Sequence, residues 1–595
     1  MTLNIEHAKV LSPRRNTSEA NDVNTLVHEQ LNHFGIDPSS EYGQALSDTA
    51  THLYHAQSDV HRLWDITNNT LQTLDKEDKI AWFNAKKFLS FQLAKILDTL
   101  QNPFRKTWQS LNNAPGYQHH YPLFDNVTAL FSATPVVVRT ATYVYACTEW
   151  VDDAFQGKEF THQIYSRLLN PTNISLANAI VDMEAGPYSA EYLAWNFNSG
   201  MAAIDALLAN VLTHGDILVV SRNVYGGVYQ LLHDYYARQN RLDIQLVWFD
   251  GYTRQEFETC WNDARQTHAK ALQNGAQMHV YIESPCNPHG YVLDVPGICD
   301  FAHRQQALVM LDSTLATPVL HQPLQHASEA CRPDYLVHSY TKDLCGSGAT
   351  TAGVVIGKGH RMFQPKGSSV DGVDWSQTLF WDVYYIKGAF LDSEKAFDVL
   401  NGMKTLELRM MTKVINTQVF SAFLAHHPAI RVNSHAVPGH ANAGLKEKQH
   451  NHGWPCALFT IDMAAANLER AVFTRFFDAL EPAFSHQVSI GQNNTIVLCP
   501  ALTSHSELSH EEQKKAGIEL TTMRIAMGTD NVKQLIAQFI LAARHFIEPA
   551  SPGFCKAFMD PAQVDSLYDR ISQEVSRQHY QTVPALADLL SANVE

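Results

Sequence analysis

The sequence lacks long apolar runs, paired cysteines and an excess of positive charge. No stretch nears the ~20 apolar residues needed to span a bilayer, and residues 1–24 lack the apolar core of a signal peptide. The 44 Lys and Arg stand against 60 Asp and Glu, and the resulting charge of −16 repels phosphate backbones. No Cys-x-x-Cys pair occurs among the nine cysteines, which predicts reduced thiols. We therefore expect a cytoplasmic protein that binds neither membranes nor nucleic acid.

Apolar patterning divides the chain of 595 residues into four regions. Within residues 1–131, apolar positions recur at steps of three and four, which predicts a helical N-terminal extension. Within residues 132–390, short apolar runs alternate with helical stretches, which predicts an α/β domain built on a mainly parallel sheet. Residues 391–546 are expected to form a smaller α+β domain, followed by a C-terminal tail over 547–595.

Local patterns make more specific predictions within these regions. One continuous helix is predicted over 394–424 and a loop over 434–453. The aromatic-rich segment 362–390 either lines the functional site or packs as a surface element. Strands are predicted at 192–197, 217–220, 245–249, 279–282, 307–311 and 335–337.

The ends of three predicted strands carry polar or charged groups, or a glycine that frees backbone amides. Gly200 begins a helix whose free backbone amides favour a phosphate. Asp312 ends a buried strand, where a carboxylate faces the ligand crevice of an open α/β sheet. Lys342 follows the next strand, directly after two hydroxyl side chains. A phosphate turn, a carboxylate for a protonated ring nitrogen and an amine for an aldehyde together predict pyridoxal phosphate.

Further motifs accompany this constellation in a fixed order along the chain. They are Tyr165-Ser166-Arg167 with Asn170-Pro171-Thr172, Ser199-Gly200-Met201-Ala202-Ala203, Tyr225-Gly226-Gly227, Glu283-Ser284-Pro285 with Asn287-Pro288, Asp312 to Pro318, His338 to Lys342, Gly402 to Met410, and Met523-Arg524-Ile525. In this order the motifs resemble the Cys/Met-metabolism family of pyridoxal-phosphate enzymes, over roughly residues 132–545. The family includes cystathionine γ-synthase, cystathionine γ- and β-lyases, methionine γ-lyase and O-acylhomoserine sulfhydrylase.

The resemblance implies a fold-type I architecture, like that of aspartate aminotransferase, and a set of roles at the cofactor. Lys342 would hold pyridoxal phosphate covalently and act as general base, Asp312 would keep the ring nitrogen protonated, and Tyr225 would stack on the ring and transfer protons. The remaining cofactor contacts would be Gly200, Met201, Ser339 and Thr341 at the phosphate, Asn287 near the phenolic oxygen, and Tyr165 and Arg167 at the phosphate of the neighbouring subunit.

The same resemblance implies the substrate and the assembly. Arg524, with Ser489, would bind the α-carboxylate of a small amino-acid substrate. The active unit would be a homodimer or homotetramer with active sites shared between subunits. The implied reaction is γ-replacement or γ-elimination in sulfur amino-acid metabolism. The alternatives are β-elimination from a C–S substrate and a non-catalytic interaction protein that retains the fold.

Three positions depart from the family pattern and leave the specificity open. Val488, the residue before Ser489, is of the type found at this position in methionine γ-lyases, whereas cystathionine γ-enzymes tend to have glutamate there. Gly227, however, stands where those lyases have cysteine. Asp343 follows Lys342 in place of the usual aromatic residue. The physiological substrate, and replacement versus elimination, therefore stay undetermined at this point.

The 30 histidines raise the question of a metal site. Several of them lie within the predicted loop at 434–453. No helix carries a pair of histidines at ligand spacing with an acidic residue for catalysis. We therefore predict no metal.

Overall fold

The structure is a computed structural model that describes residues 5, 9, 18–75, 78–82, 84, 87–96, 99, 132–143, 145, 147–158, 164–500, 519 and 521–581. These residues belong to two compact units. The first contains the described residues within 1–136 and 143–164, and the second those within 137–142 and 165–583. Among the described residues, no helix is both long and apolar enough to cross a membrane.

The first unit is mostly helical where it is described, although residues 132–136 are not helical. Its helices are α1 (Val23–His33), α2 (Glu41–Leu71) and α3 (Thr148–Phe155). Asp22 caps α1 and Ser40 caps α2, since each side chain accepts a backbone N–H of the first turn. Leu26, Val27 and Tyr54 are buried together and form a small core between α1 and α2.

A seven-stranded sheet forms the centre of the second unit. Its strands are β1 (Tyr192–Phe197), β2 (Ile217–Ser221), β3 (Gln245–Phe249), β4 (Met278–Glu283), β5 (Val309–Asp312), β6 (Tyr335–His338) and β7 (Gly353–Lys358). The spatial order is β1-β7-β6-β5-β4-β2-β3, and only the pairs that include β7 are antiparallel. The predicted strands and the mainly parallel α/β sheet are thus confirmed.

Helices cover both faces of this sheet. They are α4 (Pro171–Ala185), α5 (Gly200–Val211), α6 (Gly226–Gln230), α7 (Arg254–Thr267), α8 (Ala269–Gln273), α9 (Val295–Arg304), α10 (Thr317–Leu320), α11 (Gly359–Met362) and α12 (Tyr385–Lys387). Alternate strand residues belong to two different cores: Val280 and Ile282 face one core, whereas Tyr281 faces the other. This burial on both sides explains the near-continuous apolar runs of the strands.

A second sheet has five strands. They are β10 (Arg431–Asn433), β11 (Leu458–Asp462), β12 (Ser485–His486), β13 (Ile496–Leu498) and β14 (Met523–Ala526), in the order β10-β11-β14-β13-β12. The hairpin β8 (Ser369–Val370) and β9 (Val373–Asp374) stands apart from both sheets. The helices of this region are α13 (Ser393–Met403), α14 (Leu406–Ala425), α15 (Ala443–Gln449), α16 (Arg470–Asp478), α17 (Val532–Ala542) and α18 (Pro561–Gln581).

The single helix predicted over 394–424 is wrong, because the structure divides it into α13 and α14. Thr405 has the non-helical angles φ −112° and ψ 6°. The carbonyl of Gly402 accepts the Thr405 N–H and also Nη2 of Arg409, at 2.9 Å. The Arg409 side chain thereby binds the end of α13. Sequence periodicity does not reveal such a capping contact, because Arg409 lies within the next apolar repeat.

The loop predicted over 434–453 is also partly wrong, since it contains α15. Two histidines of this segment are buried and bonded to backbone. His435 Nε2 accepts the Cys456 N–H at 3.0 Å, and His450 Nδ1 lies 2.7 Å from the Trp454 carbonyl. Within the described residues no group of three or more His, Cys, Asp or Glu could hold a metal ion.

The aromatic segment 362–390 packs against the sheet. Phe380 lies 4.7 Å from Trp195 of β1 between ring centroids, and Tyr384 lies 5.0 Å from the same ring. Trp381 is buried and donates its indole N–H to the Gln364 carbonyl at 2.7 Å. These aromatic side chains thus have the second of the two predicted roles, packing against the protein rather than lining the functional site.

Candidate active site

Two buried carboxylates lie side by side at the carboxyl ends of β4 and β5. Glu283 and Asp312 are the last residues of these parallel strands and are paired in register. Neither forms an ion pair with Lys or Arg within the described part of the chain, and each is almost fully buried. Burial raises the pKa of Asp312, and burial together with the charge of Asp312 raises the pKa of Glu283 well above its usual range.

Asp312 keeps one carboxylate oxygen almost free of protein donors. Its Oδ1 accepts the Thr314 N–H at 3.0 Å, the Thr314 hydroxyl also interacts with this carboxylate, and its Oδ2 lies 3.5 Å from the Tyr281 hydroxyl. A distance of 3.5 Å is at the outer limit of a hydrogen bond. The charged form of Asp312 would therefore gain from a cationic N–H donor at Oδ2.

Glu283 holds two loops of the site by their backbones. One carboxylate oxygen accepts the Tyr225 N–H at 2.7 Å, and the other accepts the Asn287 N–H at 2.9 Å. Sequence reasoning quoted Glu283 within a motif but gave it no role. The only signal was its position at a strand end, because the two acceptor contacts depend on the tertiary fold.

Lys342 lies beyond β6 with its amine turned toward the second sheet. Its Nζ donates to the Ser489 hydroxyl at 3.3 Å. Burial lowers the pKa of Lys342, and the charge of Arg524 lowers it further. Both effects favour the neutral amine, which is the form needed for nucleophilic attack and for accepting a proton.

The predicted phosphate-binding residues converge at the start of α5. Ser199 caps this helix, with its hydroxyl accepting the Ala202 N–H at 3.1 Å. Gly200 faces Ser339 so closely that a Cβ at position 200 would lie 2.7 Å from the Ser339 Cβ. Only glycine permits this approach, which brings a hydroxyl beside the free amides of the helix N-terminus. Thr341 lies on the same segment as Ser339 and bonds with the backbone of Ala352.

Met201 and Tyr225 meet around Gly227. A Cβ at position 227 would lie 3.3 Å from the Met201 Sδ and 2.6 Å from Cε1 of the Tyr225 ring. Tyr225 itself is 45% exposed. Its ring therefore forms an accessible wall of the site.

Arg524 is a buried cation without an acidic partner among the described residues. It lies on the central strand β14, where Met523 and Ile525 face the core and Arg524 faces the other side. Its guanidinium donates to Asn287 Oδ1 at 3.2 Å and to the Ser489 carbonyl at 2.9 Å. Burial lowers the Arg524 pKa to about 10. A buried arginine held only by neutral oxygens favours an anionic ligand.

Tyr165 and Arg167 are not brought to this cluster by hydrogen bonds. Arg167 lies over the Tyr165 ring at 5.7 Å and donates to the Tyr385 carbonyl at 2.7 Å. Within the described residues, neither side chain hydrogen-bonds to another predicted site residue. Their predicted contact with a neighbouring subunit remains a prediction.

Two other buried contacts were missed from the sequence. Thr314 links the Asp312 strand to the Lys342 strand, because its hydroxyl accepts the Ser339 N–H at 2.8 Å. His338, at the end of β6, lies 2.6 Å from Glu184 of α4, and both side chains are fully buried. These bonds fix the strand ends that carry the site.

The residues present fit pyridoxal phosphate. A ring nitrogen that carries a proton would satisfy Oδ2 of Asp312 and place a positive charge beside two buried carboxylates. The phosphate would meet the N-terminus of α5 and the hydroxyls of Ser339 and Thr341. The amine of Lys342 supplies the nucleophile that the cofactor aldehyde requires.

Comparisons with known proteins agree with this fit. A family model described as "Cys/Met metabolism PLP-dependent enzyme" matches residues 125–543. The chain is 28% identical over 434 residues to an L-methionine γ-lyase of Pseudomonas putida, covering 72% of this chain and 96% of the relative. It is 30% identical over 421 residues to an O-succinylhomoserine sulfhydrylase of Pseudomonas aeruginosa, covering 71% of this chain and 91% of the relative.

Solved structures show the same fold. An O-acetylhomoserine (thiol)-lyase of Campylobacter jejuni, whose structure contains N'-pyridoxyl-lysine-5'-monophosphate, superposes with a TM-score of 0.59 at 25% identity, covering 72% of this chain and 98% of that one. A cystathionine γ-synthase of Xanthomonas oryzae pv. oryzae superposes with a TM-score of 0.58 at 23% identity, covering 71% and 95% of the two chains. The fold-type I architecture and the cofactor are thus confirmed. The chain belongs to the Cys/Met metabolism family of pyridoxal-phosphate-dependent enzymes.

Proposed function

We propose that this enzyme catalyses γ-replacement or γ-elimination on a small amino acid derived from methionine, cystathionine or homoserine. The observation that carries the proposal is the position of Arg524. It is a buried cation without an acidic partner among the described residues, and it donates a hydrogen bond to the carbonyl of Ser489. The hydroxyl of the same serine accepts a hydrogen bond from the amine of Lys342. A binding group for an α-carboxylate and a base for an α-proton are therefore joined through one residue.

Arg524 orients the substrate. The planar guanidinium binds a carboxylate through two parallel hydrogen bonds, which restricts rotation of the bound amino acid. The Asn287 Oδ1 contact holds the guanidinium from one side and the Ser489 carbonyl holds it from the other. The α-carbon of a substrate bound in this way lies toward Lys342.

Lys342 moves the protons at the α-carbon. When bound, pyridoxal phosphate supplies an electron sink that stabilises negative charge on the substrate carbon skeleton. Asp312 would keep the ring nitrogen of the bound cofactor protonated through its Oδ2, whose one protein contact within hydrogen-bond distance among the described residues is the Tyr281 hydroxyl at 3.5 Å. Burial lowers the pKa of Lys342, which favours the neutral amine, and its Nζ then accepts the α-proton and returns a proton to a neighbouring carbon.

Tyr225 assists the departing group. Its hydroxyl is on an exposed ring at the edge of the site. A phenol in this position donates a proton to a leaving thiolate or carboxylate and accepts one from an incoming thiol. Glu283 fixes the Tyr225 backbone for this transfer.

Chemistry at the γ-carbon is favoured over β-elimination by the relatives and by Val488. The relatives named above are a γ-lyase, a γ-synthase and enzymes named for acylated homoserine. The Val488 side chain is 75% exposed beside Ser489 and carries no charge. It offers no partner to the distal ammonium group of cystathionine, which favours a substrate such as methionine or an acylated homoserine.

We further propose that the active enzyme is a homodimer or homotetramer. The support is that Tyr165 and Arg167, which belong to the family's phosphate motif, make no hydrogen bond to the Lys342 cluster among the described residues of their own chain. Arg167→Ala is expected to weaken cofactor binding. In mixed oligomers with Lys342→Ala chains, complementation would recover part of the activity if the sites are shared.

Product analysis tests the reaction type. The purified enzyme is incubated with L-methionine, with L-cystathionine, and with O-acylhomoserine plus cysteine. We expect 2-oxobutanoate from L-methionine, less 2-oxobutanoate from L-cystathionine because Val488 offers no partner to its distal ammonium group, and cystathionine from the third mixture. Pyruvate as the main product from L-cystathionine would establish β-elimination instead. Borohydride reduction should leave a cofactor adduct on Lys342, and Lys342→Ala serves as the control that forms neither adduct nor product.

A further inference from the structure

A buried ion pair lies directly behind the catalytic lysine. Asp343, which follows Lys342, receives a 2.5 Å hydrogen bond at Oδ1 from Nζ of Lys413 in α14. The same Nζ donates to the Gln492 carbonyl at 2.6 Å. Lys413 is 0% exposed and Asp343 is 2% exposed. One ammonium group thus binds the lysine segment and a loop of the second sheet at once.

That loop is the one that carries Ser489. Gln492 lies three residues beyond Ser489, and Asn493 donates its N–H to the Gly346 carbonyl at 3.1 Å. Gly491 has φ +70°, and a Cβ there would lie 2.7 Å from the Lys342 Cβ. The loop 489–493 therefore packs directly on the backbone around Lys342, and Lys413 holds the two together.

A second cation strengthens the same contact. Arg409, one turn before Lys413 on α14, donates to the Asp343 carbonyl at 2.7 Å. A Cβ at Gly346 would lie 2.2 Å from Nη1 of Arg409, so glycine is needed for this approach. The segment after Lys342 is thus bound to α14 at both its backbone and its side chain.

Stability alone does not account for such a pair. Removing two charges from water is costly, and well-packed apolar residues of similar volume are often as stabilising as a buried ion pair. An ion pair differs from an apolar contact in fixing distance and direction. Asp343 is also one of the positions at which this chain departs from its family, where an aromatic residue is usual.

We propose that the Asp343–Lys413 pair is a positioning device for substrate recognition, which holds the Ser489 loop at the distance from Lys342 that a substrate α-carboxylate requires. The proposal rests on the proposed function, because it takes Ser489 and Arg524 as the carboxylate site. Loss of the pair would then weaken the binding of amino acids, but would change neither cofactor retention nor the reaction of the cofactor with simple amines.

The test compares two ligands on the holoenzyme. L-Norleucine resembles methionine but has no γ leaving group, and n-pentylamine is the same molecule without the carboxylate. The binding of each is followed by the change in cofactor absorbance, for wild type, Asp343→Asn, Lys413→Met and the double variant Asp343→Asn/Lys413→Met. Lys404→Met, an exposed lysine just before the same helix, is the matched control. Cofactor content and the unfolding temperature are measured for each protein.

The proposal predicts that the apparent Kd for L-norleucine rises about tenfold or more in all three pair variants, while that for n-pentylamine changes by less than about twofold. Equal weakening of both ligands would overturn it, as would wild-type binding of L-norleucine by the double variant. If the single variants fail to fold because one buried charge is left unpaired, the double variant decides. A double variant that loses the cofactor would also overturn it, since the pair would then be needed for the fold.

Arg524→Gln, measured in parallel, separates this inference from the proposed function. If it leaves the ratio of the two affinities unchanged, Arg524 does not bind the carboxylate and the proposed function fails. If it weakens L-norleucine alone while the pair variants bind as wild type does, only the role of the Asp343–Lys413 pair fails.

Discussion

Arg524 donates a 2.9 Å hydrogen bond to the carbonyl of Ser489, and the Ser489 hydroxyl accepts the amine of Lys342 at 3.3 Å. A cation on the second sheet is thereby linked to the nucleophile on the first through a single residue. Each side chain is polar and mostly buried, and the described residues place no carboxylate beside the guanidinium. The arrangement is suited to an anionic ligand between the two sheets. The first prediction below tests this, and the other three concern Asp312, Glu283 and His321.

Arg524→Gln is expected to raise KM for amino-acid substrates. The rise should correspond to a loss of about 1.5–3 kcal/mol of binding free energy, because hydrogen bonds to a charged partner are lost. The affinity for the cofactor should fall less than KM rises, since no cofactor contact is assigned to Arg524 itself and it reaches the cofactor site only through Asn287. Steady-state kinetics and cofactor titration measure the two effects. Arg431→Gln, an exposed arginine of the same sheet, is the control. A large loss of cofactor with KM unchanged would contradict this assignment.

Asp312→Asn is expected to stabilise the cofactor-free protein against unfolding but to weaken the binding of the cofactor. The cofactor-free protein should unfold at a higher temperature, because the buried carboxylate has no cationic partner among the described residues. Cofactor binding should weaken by about 3 kcal/mol or more, since the neutral amide leaves the bound ring without its counter-charge. Calorimetry of both forms provides the measurement. Equal destabilisation of both forms would indicate a purely structural carboxylate.

Glu283→Gln is expected to weaken cofactor binding by about 1–3 kcal/mol, because one of the two backbone N–H groups would face an amide NH₂ and lose its acceptor. The affected amides are those of Tyr225 and Asn287. Spectroscopic titration of the cofactor-free protein tests this. Unchanged affinity would mean that the loops are held without Glu283, and Glu329→Gln, a carboxylate on the surface, is the control.

Stability is expected to fall as the solution is acidified below pH 6.5, partly through two buried histidines. Burial lowers the pKa of His321 to about 3 and that of His450 to about 4. Between these values and 6.5, the unfolded chain binds protons that the folded chain excludes, so each histidine costs about 1.4 kcal/mol per pH unit. His321→Phe removes one of these two groups and leaves His450 in place.

Unfolding temperatures measured from pH 7 to 4 should therefore fall less steeply for His321→Phe than for wild type. An exposed histidine, such as His214 replaced by Gln, should leave the slope unchanged. Parallel curves for His321→Phe and wild type would show that His321 does not titrate on unfolding in this range.

The sequence by itself determined the strands, the strand-end residues and the family. Apolar runs of strand length separated by crossover helices predict a parallel sheet, and the residues just after such runs, Asp312 and Lys342, lie at the ligand edge for that reason alone. Local geometry sufficed, because each inference concerns a residue and its nearest neighbours along the chain. The cofactor followed from the same short segments.

Only the tertiary structure decided which distant residues meet. Arg524 and Asn287 are 237 residues apart in the sequence, and Lys413 is 70 residues from Asp343. The break between α13 and α14 depends likewise on where the Arg409 side chain finds its acceptors. Periodicity reports which face of an element is apolar, but the partner of a buried charge is set by packing between elements. That packing places Lys413 against Asp343, next to Lys342 in the chain, and Arg524 against Ser489, which accepts a hydrogen bond from Lys342.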